Sequence, residues 1–338
     1  MTGRYIHHMD PVIFEIGGVC LWWYGMCYAL GFLETFLWLK HYRRRTGLTI
    51  GECYTLTIVL ALGLLIGARM VEVIFYEWPY FSTHPARIPD LWQGGMVTHG
   101  CLFGSLIAMW LFSRANKKPF LAIADALSIP GAFMMGMGRI GNFIDGQIVG
   151  SVTNVWWAVQ FPDAEGFRHP VVLYDALKNF LIIPILLIVR KRSKKPRMQM
   201  AHFIFWYGFL RIFVDAYRDY ATWIYGIATG QTLNIFMTLL GGGLILWFWK
   251  YGKDGNPVEK PESIPAVAAP MHRENYWGKR AALASLLLFS LLMPSDSTQD
   301  IPERYGKRHP GLHHSAFYPH IESPPEPDIP LPTAAEKR

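Results

Sequence analysis

Charged side chains are scarce in this chain of 338 residues: 17% are Asp, Glu, Lys or Arg, whereas 51% are hydrophobic. Soluble domains carry about 25% charged residues, so the composition excludes a soluble globular enzyme, and the hydrophobic content excludes a disordered protein. Cysteine is also rare. The four cysteines are scattered within or beside apolar runs, which favours neither a disulfide framework nor a zinc site. The composition therefore indicates a membrane protein.

The chain contains several long apolar runs. A helix needs about 20 mostly apolar residues to cross a bilayer, and seven stretches come close to this length: 17–39, 54–76, 96–113, 120–143, 171–189, 200–217 and 233–249. Aromatic residues make up 15% of the chain, which is typical of proteins with Trp and Tyr belts at the membrane surfaces. We predict an all-α polytopic membrane protein with seven transmembrane helices.

The basic residues predict the orientation of these helices. The net charge of +7 is not interpreted as nucleic-acid binding, because Lys and Arg lie in short loops between the apolar runs. Fifteen of them follow spans one, three, five and seven, against four on the opposite side, and positive loops stay cytoplasmic. The N-terminus is then extracytoplasmic. Two aromatic-rich loops, 77–95 and 144–170, are expected on the outer surface of the bilayer.

The composition changes after Gly252. We predict a seven-span core over residues 1–252 and a polar, Pro- and His-rich tail over 253–338 that is largely disordered. Residues 281–293 form a short apolar segment within this tail. It is brief for a span and resembles an interfacial helix or a signal-type segment. If it does cross the membrane, it becomes a short eighth helix and places the end of the chain outside.

Polar residues within the spans fall at one depth, near the headgroups of the outer leaflet. They come from six spans, and those of span six share one helix face: Tyr24, Arg69, His99, Arg139, Asn142, Tyr174, Asp175, Tyr207, Arg211, Asp215 and Arg218. Charges inside a bilayer are costly, so each suggests a function. A transport pathway would need polar residues at every depth. The pattern instead indicates a site that handles a lipid headgroup.

Structural explanations remain open for several of these residues. They are an Arg69–Glu72 ion pair, an Asp215 pair with Arg211 or Arg218, a belt position for Tyr24 and a helix-start position for His99. One segment is harder to explain by packing. Residues 138–150 are G-R-I-G-N-F-I-D-G-Q-I-V-G, in which glycines allow a ligand to approach closely and arginine offers a planar fork for phosphate.

This segment resembles the signature of bacterial prolipoprotein diacylglyceryl transferases, G-R-x-G-N-F-[hydrophobic]-N-x-E-x-x-G. The resemblance covers residues 9–252, with further matches in order at 10–14, 23–25, 67–69, 94–96, 99–100, 168–170, 173–174, 207–208, 211 and 230–231. It implies transfer of an sn-1,2-diacylglyceryl group from phosphatidylglycerol to the lipobox cysteine of a prolipoprotein, with release of glycerol 1-phosphate. The implied partners are membrane lipids and prolipoprotein signal peptides, with no cofactor, metal or nucleic acid.

The resemblance also implies roles for individual residues. The expected catalytic residues are His99, Arg139, Tyr207 and Arg211. Arg139 is expected to bind the lipid phosphate as well, and the remaining substrate-binding residues are expected to be Tyr24, Arg69, Asn142, Asp145, Gln147 and Gly150. Whether His99 or an arginine removes the proton of the thiol stays open. The implied location is the bacterial cytoplasmic (inner) membrane, with the site facing the outer leaflet.

The chain departs from the family signature close to the site. Asp145 stands where the signature has Asn, and Gln147 stands where it has Glu. A missing glutamate removes a carboxylate that would orient Arg139, and we expect Asp145 to supply that carboxylate instead. Two alternatives to the transferase remain. One is a non-catalytic paralogue that binds phosphatidylglycerol or lipoprotein precursors, and the other is a transporter or channel, which the single depth of the polar residues disfavours.

Overall fold

The computed structural model describes residues 4–17, 19–76, 78–83, 85–89, 91, 98–162, 164–193, 195–218, 223–224, 227–252 and 276–294. Most of these residues are helical. The α-helices are α1 (Trp23–Thr46), α2 (Ile50–Val71), α3 (Trp78–Phe81), α4 (Thr98–Ala115), α5 (Phe120–Ile144), α6 (Val171–Arg192), α7 (Met198–Asp215), α8 (Thr229–Tyr251) and α9 (Trp277–Leu291). Each of the seven predicted spans falls on one of the long helices.

Four of these helices are long and apolar enough to cross a membrane, judged by length and composition over the described residues. They are Ile50–Ile74, Phe120–Ile144, Val171–Arg192 and Gln231–Tyr251, and the segment Gly100–Ala115 forms a shorter apolar helix. A turn of π-helix, Glu72–Tyr76, extends α2. The chain is therefore a mostly helical, multi-pass membrane protein.

The described residues also include seven short β-strands. They are β1 (Tyr5–Ile6), β2 (Val12–Ile16), β3 (Val19–Trp22), β4 (Val159–Gln160), β5 (Phe167–Arg168), β6 (Trp223–Ile224) and β7 (Ile227–Ala228). Strands β2 and β3 form an antiparallel pair, β4 lies between β1 and β5, and β6 pairs with β7.

The predicted start of the first span at residue 17 is wrong. Strand β3 pairs with β2, and Gly17 takes the left-handed φ of +58° at the end of β2, a conformation that glycine adopts without strain. The apolar residues of β3 run directly into those of α1, so hydrophobicity alone does not separate strand from helix. The helix itself begins at Trp23.

The two ends of the helical bundle carry different kinds of side chains. At one end, Thr49 and Glu52 form a capping box that begins α2. Lys118, between α4 and α5, binds Glu52 at 3.2 Å and donates to the carbonyl of Gly47 at 2.5 Å. We call this end, which carries most of the loop Lys and Arg residues, the basic end. The opposite end holds the polar residues described below and is called the site end.

Helices α2 and α4 approach each other through pairs of glycines. Gly63 and Gly67 on α2 face Gly104 and Gly100 on α4, and a Cβ atom at Gly104 would collide with the carbonyl oxygen of Gly63. Small residues spaced four apart allow membrane helices to pack backbone against backbone. The contact fixes the first turn of α4, which contains His99, beside α2.

Helix α9 packs against the bundle. Leu283 and Leu286 are buried in the hydrophobic cluster that contains Phe32 of α1 and Leu56 of α2. The apolar run at 281–293 is thus mostly helical and belongs to the packed part of the protein. The remainder of the predicted tail, 253–275 and 295–338, lies outside the described residues.

Candidate functional site

A single carboxylate at the site end gathers three cations from three helices. Asp175 lies just over one turn into α6 and is 2% exposed. Its Oδ2 accepts Arg139 Nε of α5 at 2.7 Å and also binds Arg211 Nη1 of α7, while its Oδ1 lies 2.9 Å from Lys178 Nζ. The polar residues of these three spans therefore meet, as their common depth predicts.

A second carboxylate holds the other side of Arg211. Asp215 lies one turn further along α7, and its Oδ1 is 2.9 Å from Arg211 Nε. Asn234 of α8 donates from Nδ2 to Asp215 Oδ2 at 2.6 Å. The Asp215–Arg211 pair that the sequence left open is thus present. It fixes the direction of the Arg211 fork without removing Arg211 from the cluster.

Lys178 is a site residue that the sequence reasoning missed. It is 4% exposed, and its ammonium nitrogen lies 3.6 Å from the centroid of the Tyr207 ring, close enough for a cation–π interaction. The signal was available: a lysine in an apolar span, three residues after an aspartate, is costly without a partner. Arg139, Lys178 and Arg211 outnumber Asp175 and Asp215 by one positive charge.

The signature segment forms a short chain of side chains at the end of α5. Arg139 Nη1 donates to Asn142 Oδ1 at 3.2 Å, and Asn142 Nδ2 donates to Gln147 Oε1 at 3.4 Å. Asn142 is buried. Asn142 and Gln147 therefore hold one face of the Arg139 guanidinium, while Asp175 holds its Nε.

The described ion pair of Arg139 is with Asp175, and the expected role of Asp145 in orienting Arg139 stays a prediction. The carboxylate paired with Arg139 belongs to Asp175, which projects from α6 directly against α5. Asp145 caps the end of α5, where its backbone N–H donates to the carbonyl of Gly141 at 3.1 Å. The residue is fully buried. The described carboxylate partner of Arg139 thus comes from a neighbouring helix and not from the signature segment.

Two glycines of the signature segment leave room for tyrosine side chains of α1 to pack against α5. A Cβ at Gly141 would lie 2.8 Å from Tyr24 Cδ2, and one at Gly138 would lie 3.3 Å from the Tyr28 hydroxyl. The Tyr24 hydroxyl donates to that of Tyr28 at 3.3 Å. Tyr24 also lines a cleft together with Tyr28, Phe32, Leu64, Leu65, Cys101, Ser290 and Met293. Tyr24 is therefore a wall residue between the cleft and the signature segment.

Gly150 belongs to the loop layer that supports the cluster. Its backbone pairs with Arg218, and Arg168 Nη1 donates to its carbonyl at 3.1 Å. A Cβ there would lie 2.6 Å from the carbonyl oxygen of His169 and 2.7 Å from that of Tyr217. Glycine is therefore required at this position for close packing of the backbone, and its expected role in substrate binding stays a prediction.

His169 precedes α6 and lies beneath the same layer. Its Nδ1 is 3.0 Å from the Tyr174 hydroxyl, which also accepts the Trp157 indole N–H at 2.6 Å. Because that indole occupies the hydroxyl as donor, Tyr174 donates its own hydrogen to His169. Burial lowers the pKa of His169 below its usual value, which agrees with a neutral ring that accepts.

Arg69 binds the loop that contains Arg87 and Ile88. It donates from Nε to the carbonyl of Ile88 at 3.0 Å and from Nη2 to that of Arg87 at 3.2 Å. Its guanidinium carbon also lies 4.7 Å above the Phe81 ring. These contacts give Arg69 a role in holding the loop over the site.

His99 has a helical backbone at the start of α4, and its side chain lies outside the described part of the structure. The neighbouring Cys101 lines the cleft beside Tyr24, so the first turn of α4 adjoins the site end. Within the described residues, no group of three or more His, Cys, Asp or Glu could hold a metal ion.

Comparison with known proteins gives a consistent result. The family model for prolipoprotein diacylglyceryl transferase matches residues 11–247. Relatives named phosphatidylglycerol–prolipoprotein diacylglyceryl transferase include one from Photorhabdus laumondii, 34% identical over 75% of this chain and 96% of the relative.

Two further relatives bear the same name. The protein from Aliivibrio fischeri is 35% identical over 76% of this chain and 95% of the relative. The protein from Geobacter sulfurreducens is 34% identical over 69% and 93%. The chain therefore belongs to the prolipoprotein diacylglyceryl transferase family.

Proposed function

We propose that the protein transfers the sn-1,2-diacylglyceryl group of phosphatidylglycerol to the thiol of a prolipoprotein lipobox cysteine. A carbon–sulfur bond forms at the glyceryl carbon while the bond from that carbon to the phosphate oxygen breaks. The products are a thioether and glycerol 1-phosphate, and the thiol proton passes to a base. The observation that carries the proposal is the buried cluster in which Arg139 and Arg211 share Asp175.

The excess positive charge of the cluster suits the leaving group. Negative charge accumulates on the phosphate oxygens as the carbon–oxygen bond breaks, and preorganised donors in a site of low dielectric constant stabilise such charge strongly. The described contacts of Arg139 use Nε and Nη1, so we assign Nη2 to the phosphate. Arg211 and the Tyr207 hydroxyl face the same site from α7. Asn142 and Gln147 keep the Arg139 fork in place.

The thiol reacts as the thiolate, so a base must take its proton. We assign this role to His99, whose position at the start of α4 adjoins the cleft. Tyr24 lies between the cleft and the signature segment, where a lipid would enter the site. Gly150 and Arg69 support the surrounding loops, and Asp145 secures the end of α5.

The proposal includes an orientation of the helices in the membrane. Helices α1, α2 and α4 to α8 would cross the bacterial cytoplasmic (inner) membrane with the N-terminus outside, because the basic end carries the loop Lys and Arg residues that remain cytoplasmic. The site end then faces the outer leaflet. Exposed Trp78, Trp156 and Trp157 lie in the loops at this end, where aromatic side chains favour the headgroup region.

The test is direct. Purified protein is incubated with phosphatidylglycerol vesicles and a lipobox peptide, and the mass of the peptide is measured. The expected gain is one diacylglyceryl group, absent when the peptide cysteine is replaced by serine. The neutral Gln147 favours the second candidate, a non-catalytic lipid-binding paralogue. Binding of phosphatidylglycerol without any mass gain would support that alternative and overturn the transferase.

A further inference from the structure

Helix α9 is an element that the family comparison does not account for. The family model ends at residue 247, whereas α9 spans Trp277–Leu291 and packs on α1 and α2. Helix α9 therefore lies beyond the residues that the family model matches, yet it packs in the same hydrophobic core.

The beginning of α9 lies at the basic end. The Tyr276 ring stacks on the ring of Tyr54, with centroids 6.3 Å apart. Lys279 donates from Nζ to the carbonyl of Gly51 at 3.1 Å. Gly51 is the second residue of α2, so these contacts fix the start of α9 beside the start of α2.

The end of α9 lies at the site end. A Cβ at Gly25, the third residue of α1, would collide with the carbonyl oxygen of Ser290 and would lie 3.0 Å from that of Met293. Ser290 and Met293 also line the cleft beside Tyr24. Because α1 runs from the site end to the basic end, α9 runs antiparallel to it over most of its length.

Helix α9 is shorter than a typical membrane-crossing helix. The 15 residues of α9 rise roughly 22 Å, against a hydrocarbon core of about 30 Å. Lys279 and Arg280 at the start can extend their aliphatic stems and keep their charges at the interface. Trp277 is 71% exposed, as expected for an interfacial aromatic residue. The remaining mismatch is of the kind that local thinning of the bilayer absorbs.

We propose that α9 crosses the membrane as an eighth helix, forms the lateral wall of the cleft beside Tyr24 and places the chain beyond Pro294 on the same side as the phosphate site. The C-terminal residues would then begin on the side where the proposed acceptor peptide presents its cysteine. The inference rests on the proposed orientation of the bundle, and its test does not require catalysis.

Cysteine labelling in spheroplasts tests the crossing. Ser295→Cys and Gly278→Cys flank α9 in the full chain, with Asn154→Cys as the marker of the site end and Lys191→Cys as the marker of the basic end; wild type gives the background. An impermeant maleimide should label Ser295→Cys in intact spheroplasts, as it labels Asn154→Cys. It should label Gly278→Cys and Lys191→Cys only after lysis. Labelling of both α9 positions from the same side would overturn the proposal.

A deletion separates α9 from the rest of the topology. Removal of residues 277–293 from the full-length Ser295→Cys variant should abolish labelling in intact spheroplasts, while lysis restores it and Asn154→Cys in the same deletion stays labelled. If Ser295→Cys remains accessible from outside after the deletion, α9 is not the crossing element. Because neither readout measures transfer, an inactive but correctly labelled protein would refute the proposed reaction alone.

Discussion

Arg139 binds Asp175 through Nε and Asn142 through Nη1, and the proposed function assigns its third nitrogen to the phosphate. Lysine keeps the charge but offers no planar fork, so it cannot hold Asp175 and Asn142 together while it also faces a phosphate. We expect Arg139→Ala and Arg139→Lys each to lose roughly 100-fold or more of the transfer rate, the range seen when a single donor to a developing oxyanion is removed. Peptide mass measures the rate, with membrane levels checked by immunoblot. Full activity of the alanine variant would remove Arg139 from the mechanism.

Replacements of Asp175 and Lys178 should have different effects: the first on stability, the second on lipid binding. Asp175→Ala removes the carboxylate that Arg139, Lys178 and Arg211 share and leaves Asp215 as the described carboxylate partner of Arg211. Loss of one partner of a buried pair typically costs about 3–5 kcal/mol, so we expect the melting temperature to fall sharply. Lys178→Met keeps the volume and leaves Asp175 with two arginines. We expect it to fold, with weaker binding of phosphatidylglycerol and a raised KM, and Lys178→Arg to recover part of the binding. An unchanged KM in Lys178→Met would restrict Lys178 to packing.

His169 predicts a pH dependence of stability. Its pKa in the folded protein is lowered by burial, whereas the unfolded chain titrates near 6.5. The unfolded state therefore binds more protons as the pH falls through about 6.5, and stability decreases until the pH drops below the folded pKa. His169→Asn keeps an acceptor near the position of Nδ1 and does not titrate. Melting temperatures of wild type and variant should diverge between about pH 8 and 5; parallel curves would contradict this assignment.

The site residues show what sequence can and cannot supply at this scale. Residue type and depth predicted that Arg139, Asn142, Tyr207 and Arg211 meet at one end of the bundle. The partner of Arg139 was not predictable in the same way, because whether Asp145 or Asp175 reaches it depends on how α5 and α6 are rotated against each other. Lys178 was predictable as a costly charge in an apolar span, three residues after Asp175. Its contact with the Tyr207 ring was not predictable, because it depends on how α6 and α7 pack.

At the scale of elements, apolar length predicted the helices and local conformation decided their limits. The helices coincide with the apolar runs because a segment in lipid must satisfy its backbone hydrogen bonds internally. Residues 19–22 are apolar but not helical, because they pair as a strand with β2 just before α1 begins. Helix contacts were less visible, since glycines four residues apart acquire meaning only when two helices present them to each other.

The glycine contact between α2 and α4 can be tested by a matched pair of substitutions. Gly104→Leu places a side chain against the carbonyl of Gly63, whereas Gly243→Leu on α8 meets no atom within 4 Å of its Cβ. We expect Gly104→Leu to lower the melting temperature and the transfer rate together, because it displaces the turn that carries His99. Gly243→Leu should behave as wild type. If the two variants are indistinguishable, the close approach of α2 and α4 is dispensable.

At the scale of the whole molecule, the composition of the chain separated a core from a tail, but packing draws part of that tail into the core. Residues 253–338 were expected to form a polar tail with a short apolar segment at 281–293, and charge and proline content do not reveal whether such a segment packs against the core. Leu283 and Leu286 are buried against α1 and α2. The packed part of the described structure therefore includes α9 and does not end with α8.

Two truncations test this division. A chain that ends after Pro294 retains the buried contacts of α9, so its melting temperature and transfer rate should match those of the full chain. A chain that ends after Gly252 exposes the α1 and α2 surface to lipid. Lipid is as apolar as the lost helix, so the penalty is one of packing and polar contacts rather than of hydrophobic burial. We expect a lower melting temperature and an open cleft beside Tyr24, with insertion preserved and transfer reduced. Equal stability and activity of the two truncations would show that α9 is dispensable, and would support the predicted end of the core at residue 252.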